Sequence, residues 1–204
     1  MDSLLNPARP PVLCPGCNHE RITHTLDQAF QNMGLVGHQI VLVSDIGCSG
    51  LFDTFFHTHA MHGLHGRALT YATGLKMARP ELNLIVPMGD GDALAIGGNH
   101  FIHAGRSNID ITAIVMNNRI YGMTGGQFSP LSGENISATT APYLTIDPSF
   151  DVVALSKAAG ATFVARTTSY HVQQMTDIIR QAILHEGFSV VEILSQCPTY
   201  FGRK

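Results

Sequence analysis

The segment that most clearly indicates chemistry is Gly89–Gly91, which reads GDG and is followed at 117–118 by two asparagines. Each of these polar groups comes directly after a short apolar run, at 82–87 and at 109–116, so both can lie at the carboxyl ends of parallel strands. Carboxylate, amide and backbone oxygens are ligands that Mg²⁺ shares with phosphate groups. Glycines on both sides of Asp90 let phosphate oxygens approach the backbone. The spacing predicts a metal-bridged diphosphate site, with a glycine-rich turn and an asparagine-rich strand end as the plain alternative.

The four cysteines can converge on the same edge. Cys14 and Cys17 form a CPGC motif, while Cys48 and Cys197 each follow an apolar run of strand length. In a reducing compartment such thiols favour a metal centre over disulfides. Structural zinc sites usually pair their cysteines, whereas one CxxC joined by two isolated cysteines is typical of iron–sulfur usage. Spacing alone favours a cluster and leaves a zinc ion and plain buried thiols open as equal alternatives.

The composition bounds the class of protein. The 204 residues are 45% hydrophobic, which predicts one domain over 1–204. The cysteine motifs predict that the amino-terminal segment of this domain completes the metal site. Charged residues make up 13%, about half the usual share of roughly 25%, so we expect another chain to cover part of the surface. The net charge of −3 gives no support for nucleic-acid binding. Apolar runs are too short to span a membrane, and the start lacks a signal pattern, so we expect a cytoplasmic protein.

Short β-branched runs alternate with helix-length segments along the chain. Strands are predicted at 40–44, 82–87, 109–116, 161–165 and 188–194, and helices near 66–78, 92–105, 150–159 and 170–186. This alternation predicts an α/β fold with a doubly wound, mostly parallel sheet that binds ligands at the carboxyl ends of its strands. The segment 122–148 is expected to be a long irregular loop of functional importance.

The GDG and NN motifs together are similar to the thiamine diphosphate signature. Over essentially its whole length the chain resembles the β subunits of 2-oxoacid:ferredoxin oxidoreductases, and the variant it resembles most is the 2-oxoglutarate enzyme; pyruvate and branched-chain enzymes are the alternatives. The matching segments are CPGC at 14–17, SDIGCSG at 44–50, HGLHGRALTYATGLKMARP at 62–80, GDGDALAIGGNHFIHAGR at 89–106 and NNRIYGMTGGQFSP at 117–130. The fold implied is of the thiamine diphosphate-binding type.

The resemblance implies a set of site residues. By it, Asp90, the Asn118 side chain and the Ile120 carbonyl bind Mg²⁺, and the four cysteines, Cys14, Cys17, Cys48 and Cys197, bind a [4Fe–4S] cluster. The positions that match the lining of thiamine diphosphate are Ile46, Gly47, Cys48, Ser49, His65, Gly91, Asp92, Gly122 and Met123. A zinc site made from His57, His59, His62 and His65 is the less favoured use of that histidine-rich segment.

The resemblance also implies an activity and partners. It implies CoA-dependent oxidative decarboxylation of a 2-oxo acid, with ferredoxin as electron acceptor and with an α subunit that supplies the activating glutamate. The chain alone should be inactive. Thr124–Gln127 is expected on the substrate side, although Gly125 replaces a lysine of some relatives. Two other classes stay open: a zinc-stabilised nucleotide-binding module and a thiamine-dependent decarboxylase or carboligase without a redox step.

Overall fold

The computed structural model describes residues 2–201, and the predicted 1–204 domain extends at both ends to residues outside this range. The elements in chain order are α1 (His19–Met33), β1 (Ile40–Ser44), β2 (His59–His62), α2 (Ala68–Ala78), β3 (Asn83–Gly89), α3 (Gly98–Ser107), β4 (Thr112–Asn117), β5 (Ile120–Tyr121), β6 (Gln127–Phe128), α4 (Val152–Ala159), β7 (Phe163–Thr168), α5 (Val172–Leu184) and β8 (Ser189–Leu194). Short 3₁₀ helices occupy Gly37–Gln39 and Ser49–Thr54.

Six strands form one parallel sheet in the order β2-β1-β3-β4-β8-β7. The central strands β1 and β4 are buried at every position, because helices cover both faces of a parallel sheet. This confirms the predicted α/β fold of doubly wound type. Strands β5 and β6 form a separate antiparallel pair; β5 ends just before the segment 122–148 that was predicted to be irregular, and β6 lies within it.

The core has two layers, one on each face of the sheet. Helices α2, α3 and α4 bury residues such as Leu69, Phe101 and Val152 against one face. Helices α1 and α5 bury residues such as Leu26 and Ile179 against the other and pack on each other. Alternate residues of each strand enter opposite layers, which is the period of two that a sheet requires.

Three elements differ from the sequence prediction. Helix α1 was not predicted, although Ile22, Leu26 and Phe30 recur at helical spacing and are fully buried. Strand β2 was not predicted because HAMH is a short edge strand with mostly exposed side chains, so it has no apolar run. The predicted helix 92–105 is divided into a π-helical turn, Asp92–Ile96, and α3. Single π-helical turns often occur at functional sites.

Within residues 2–201, no helix combines the length and the apolar composition that crossing a membrane requires.

Candidate functional site: a diphosphate crevice beside four cysteines

The strand order creates a crevice between β1 and β3. The chain continues from β1 to its outer neighbour β2 and from β3 to β4, which lies on the opposite side. The connections that leave these two adjacent strands therefore run in opposite directions along the sheet. In such sheets ligands bind at this switch point, beyond the carboxyl ends of the strands. The segment Asp45–Ser49 follows β1 and Asp90–Asp92 follows β3, so the two predicted cofactor segments flank the crevice.

Two hydrogen bonds hold the Asp90 carboxylate in place. Its side chain is 3% exposed; Oδ1 accepts a hydrogen bond from the Gly91 N–H at 3.0 Å and Oδ2 accepts one from the Ser129 hydroxyl at 2.6 Å. Burial raises the pKa of Asp90 to about 6, although both hydrogen bonds favour the carboxylate. A cation at this carboxylate would offset the cost of its burial.

The two asparagines at the end of β4 face different surroundings. Asn117 donates to the Glu192 carboxylate at 2.7 Å, away from the crevice, whereas Asn118 lines the crevice and its Oδ1 accepts from the Ile120 N–H at 3.2 Å. Arg119 between them and β5 adopts a left-handed conformation, with φ of 63°. This turn brings Asn118 and Ile120 to the crevice together.

A cavity of about 110 Å³ occupies the crevice. Its lining includes the predicted Mg²⁺ ligands Asp90, Asn118 and Ile120 and the predicted cofactor residues Ile46, Gly47, Cys48, Ser49, His65, Gly91, Asp92, Gly122 and Met123. The structure therefore brings all of these residues together. Sites for whole ligands of cofactor size usually measure about 300–1,000 Å³, so this cavity has room for one end of such a cofactor.

The backbone at the floor of the cavity leaves no space for side chains. A β-carbon on Gly91 would lie 2.1 Å from the Tyr121 ring, so Tyr121 packs directly on the backbone beside Asp90. The glycine at this position is required by close approach. Tyr121 also meets the His65 ring edge to face, with ring centroids 6.0 Å apart.

A buried carboxyl pair fixes the loop that carries His65. Asp45 Oδ2 accepts from the Gly66 N–H at 3.0 Å, and Asp92 contacts His65 Nδ1 and accepts from the Gly89 N–H at 3.1 Å. Burial raises the pKa of both carboxyls, and repulsion from Asp92 raises that of Asp45 further. Through the Gly66 N–H and the His65 ring, the two carboxyls hold His65 toward the crevice.

A second cavity, of about 290 Å³, adjoins the first. All four cysteines line it, with Leu13, Leu51, Gln196, Pro198, Tyr200 and their neighbours, and His19, Cys48, Asn118, Gly122 and Met123 line both cavities. The thiols are unpaired; Cys14 is exposed, Cys17 and Cys48 are half-buried and Cys197 is buried. A β-carbon on Gly122 would lie 3.6 Å from the Cys197 sulfur and 3.7 Å from the Cys48 sulfur.

Electrostatics in this cavity favour a group that neutralises thiolates. Burial is the largest cause of a raised pKa at both Cys17 and Cys48, where it reaches about 11 at Cys48, and repulsion among the cysteines adds to it. The nearby backbone N–H groups of His19 and Met123 lower the pKa of Cys17 and of Cys48 respectively and so oppose the rise. A bound metal deprotonates coordinating thiols outright, so it would remove this penalty.

The spacing of the sulfurs bears on the kind of metal centre. Four sulfurs on one tetrahedral zinc, each at about 2.3 Å, would lie roughly 3.8 Å apart. Among residues 2–201, ligand atoms of three or more side chains lie within 4.8 Å of one another in one place. That group consists of Asp45, His65 and Asp92 and contains no cysteine. The cysteine sulfurs share a cavity but are more widely spread than a single zinc ion requires.

Four residues of the site were given no role by the sequence analysis. Ser129 lies in the long segment after β5, and its serine-proline context carries no signal for a partner at Asp90. Asp45 could have been suspected, since an acidic residue follows a buried strand directly. Tyr121 and His19 reach the cavities through tertiary packing alone. Burial lowers the pKa of His19 to about 4, so its ring is neutral.

Comparisons with known proteins agree with this geometry. Residues 45–193 match the family model described as thiamine pyrophosphate enzyme, C-terminal TPP binding domain. The match begins at Asp45, immediately before the segment that lines the crevice, and ends within β8. The chain therefore contains a thiamine diphosphate-binding domain.

Proteins similar to the chain over most of its length are named enzyme subunits. The 2-oxoglutarate synthase subunit KorB of Methanothermobacter marburgensis is 48% identical over 195 residues, covering 96% of this chain and 68% of that protein. The subunit of the same name from Archaeoglobus fulgidus is 47% identical over 199 residues, covering 98% and 74%. A 2-oxoacid:ferredoxin oxidoreductase subunit beta from Saccharolobus solfataricus is 46% identical over 189 residues, covering 92% and 62%.

A solved structure is similar throughout the fold. The 2-oxoglutarate:ferredoxin oxidoreductase from Magnetococcus marinus, with 2-oxoglutarate, coenzyme A and succinyl-CoA bound, superposes with a TM-score of 0.94 at 38% identity and covers 96% of this chain and 67% of that one. This structural similarity, the match to the family model and the 46–48% identity to the named subunits together establish the family. The chain belongs to the β subunits of the 2-oxoacid:ferredoxin oxidoreductases.

Proposed function

We propose that this chain binds Mg²⁺-thiamine diphosphate and a [4Fe–4S] cluster for the CoA-dependent oxidative decarboxylation of 2-oxoglutarate, with ferredoxin as electron acceptor. The observation that carries the proposal is the junction of two cavities at one sheet edge. One cavity holds Asp90, Asn118 and Ile120, and the adjoining one is lined by Cys14, Cys17, Cys48 and Cys197. A diphosphate anchor next to four thiols is suited to decarboxylation coupled to electron transfer.

The residues of the first cavity fit Mg²⁺ and a diphosphate. Asp90 would supply a carboxylate oxygen, Asn118 an amide oxygen and Ile120 a backbone carbonyl, the oxygen ligands that Mg²⁺ accepts beside phosphate. When bound, thiamine diphosphate supplies an electron sink for the loss of CO₂ from a 2-oxo acid. The chain's own residues orient that cofactor: Ser129 fixes Asp90, and the Asp45 and Asp92 pair fixes His65.

The cysteine cavity fits a polynuclear group better than a single zinc ion. Its volume of about 290 Å³ and its spread sulfurs suit a cluster, and burial together with repulsion from the other cysteines disfavours free thiolates at Cys17 and Cys48. Because Cys48, Asn118 and Gly122 line both cavities, a cluster would lie directly beside the bound cofactor. This short separation supports its role as the first electron acceptor.

A partner subunit completes the site in this proposal. The crevice has room for one end of the cofactor, and two apolar residues at its rim, Ile46 and Met123, are 42% and 51% exposed. Among residues 2–201, none that lines either cavity is a lysine or arginine. A buried γ-carboxylate needs a cationic or multi-donor partner, so we infer that the α subunit supplies it together with the activating glutamate.

The test is made on the anaerobically co-purified complex with the α subunit. We expect iron, sulfide and thiamine in the complex, and activity with 2-oxoglutarate above that with pyruvate or branched 2-oxo acids when CoA and ferredoxin are present. Full activity of this chain alone would refute the partner requirement. A preference for pyruvate would refute 2-oxoglutarate as the substrate. A colourless preparation containing zinc would refute the assignment of an iron–sulfur cluster.

Two variants separate the two cofactors. Asp90→Ala should abolish Mg²⁺-dependent thiamine diphosphate binding by calorimetry while the iron content stays at the wild-type level, since Asp90 does not line the cysteine cavity. Cys197→Ala should lose or convert the cluster, measured by iron content and the resonance spectrum of the reduced state, and retain thiamine diphosphate binding. Reversed effects of the two variants would contradict the assignment.

A further inference from the structure

His19 is a buried histidine with no hydrogen-bond partner for its ring. It is the first residue of α1, directly after the CPGC motif, and is 2% exposed. Neither Nδ1 nor Nε2 has a partner among residues 2–201. Its ring meets Phe52 edge to face, with centroids 6.5 Å apart, so packing holds the ring on one side.

An unpartnered buried imidazole has an energetic cost. Leaving a buried donor or acceptor without a hydrogen bond costs on the order of 1–3 kcal/mol, and native proteins rarely tolerate this without a functional reason. His19 lines both cavities, and Cys48, Asn118, Gly122 and Met123 are the other residues that do so. The missing partner is therefore expected to be a group bound in one of these cavities.

The surroundings of His19 favour the cysteine side. His19 follows Cys17 by two residues, and the 15-residue helix α1 begins here, so its positive end faces the same region. A neutral imidazole has one N–H group, which can donate a hydrogen bond to sulfur. Hydrogen bonds to cluster sulfurs are one of the means by which proteins set a reduction potential.

We propose that His19 is a positioning residue whose imidazole N–H donates a hydrogen bond to a sulfur of the iron–sulfur cluster and so raises its midpoint potential. The proposal rests on the proposed function, because it needs the cluster in the cysteine cavity. Reduction adds one negative charge to the cluster, and an N–H donor stabilises the more negative state. Loss of the donor should therefore make the cluster harder to reduce.

The test compares three variants of the co-purified complex under anaerobic conditions. His19→Phe keeps a ring against Phe52 and removes both nitrogens, His19→Gln restores an N–H donor, and His24→Phe places the same new ring on an exposed position of α1. Iron content is measured first, and the midpoint potential is then measured by a redox titration followed by electron paramagnetic resonance. We expect a shift to a more negative potential in His19→Phe, partial recovery in His19→Gln and no shift in His24→Phe.

A second measurement does not depend on the stability of any variant. In wild-type protein grown with ¹⁵N-histidine, pulsed resonance on the reduced cluster should detect a nitrogen coupled to the cluster. A fully loaded His19→Phe cluster with the wild-type potential would overturn the proposal, as would the absence of this coupling. A wild-type complex without iron would instead refute the proposed function itself, so the two failures are distinguishable.

Discussion

Ser129 supports the diphosphate site without lining its cavity, so its removal tests how Asp90 is held. The Ser129 hydroxyl donates to Asp90 Oδ2 at 2.6 Å and accepts from the Leu131 N–H at 3.2 Å; its side chain is 2% exposed. Ser129→Ala removes both bonds and leaves Asp90 with the Gly91 N–H at 3.0 Å. The backbone and the carboxylate itself remain.

The size of the effect follows from the role of that hydroxyl. Loss of a group that orients a metal ligand typically weakens metal binding about 10- to 100-fold, which corresponds to roughly 1.4–2.7 kcal/mol. The pKa of Asp90 should also rise, because the Ser129 hydrogen bond lowers it in the wild type. A larger protonated fraction near neutral pH weakens Mg²⁺ binding in the same direction, so we expect an effect toward the upper end of this range.

The assay is calorimetric titration of thiamine diphosphate into the complex at several Mg²⁺ concentrations. Ser107→Ala is the matched control, because the Ser107 hydroxyl donates to the Ala104 carbonyl at 3.1 Å near the end of α3, away from the crevice. Thermal unfolding of both variants excludes a general loss of structure. An affinity within twofold of the wild type for Ser129→Ala would refute the reasoning that Asp90 depends on this hydroxyl.

Two further variants test the cysteine cavity and a helix cap. Gly122→Ala places a β-carbon in ordinary contact with the Cys197 and Cys48 sulfurs, at 3.6 and 3.7 Å. The protein without a cluster should therefore unfold at the wild-type temperature, but its iron content should fall because the β-carbon occupies space beside two cluster ligands. Full iron loading would contradict this. Asp151→Ala removes the acceptor for the Val153 and Ala154 N–H groups and should cost about 1 kcal/mol in urea unfolding, with Asp151→Asn costing less. The Ala154 N–H, the Arg166 guanidinium and the Val153 N–H together hold the pKa of Asp151 below its ordinary value of 3.8, so the contribution of this carboxylate is full above that pH and lost as the pH falls further. An equal loss at pH 7 and pH 3 would contradict the charged cap.

Much of the fold could be predicted from the sequence, because buried parallel strands appear as short, continuous apolar runs. The runs at 40–44, 82–87 and 188–194 differ from the observed β1, β3 and β8 by at most two residues at either end. Strand β2 has no such signal, since it is an edge strand whose side chains are mostly exposed. Helix α1 had a helical pattern that could have been read before the structure was known.

The candidate site was predictable in part for the same reason. A residue that follows a parallel strand must lie at the carboxyl edge of the sheet, so Cys48, Asp90, Asn118 and Cys197 could be placed together from strand ends alone. Pairings across the edge could not be predicted. Ser129 reaches Asp90 from a segment after β5, and Asp45 meets Asp92 because β1 and β3 are neighbours in the sheet.

The sequence by itself determined which strands end in polar groups, because the period of apolar residues and the glycine frame of GDG are local properties of the chain. The resemblance pointed to Asn118, but only the tertiary structure shows why Asn117 is not available to the crevice: Asn117 donates to Glu192, while Asn118 lines the cavity. It also decided that the ring of His19 lies between two cavities with no hydrogen-bond partner among residues 2–201. Such contacts depend on strand order and helix packing, which bring together residues far apart in the chain.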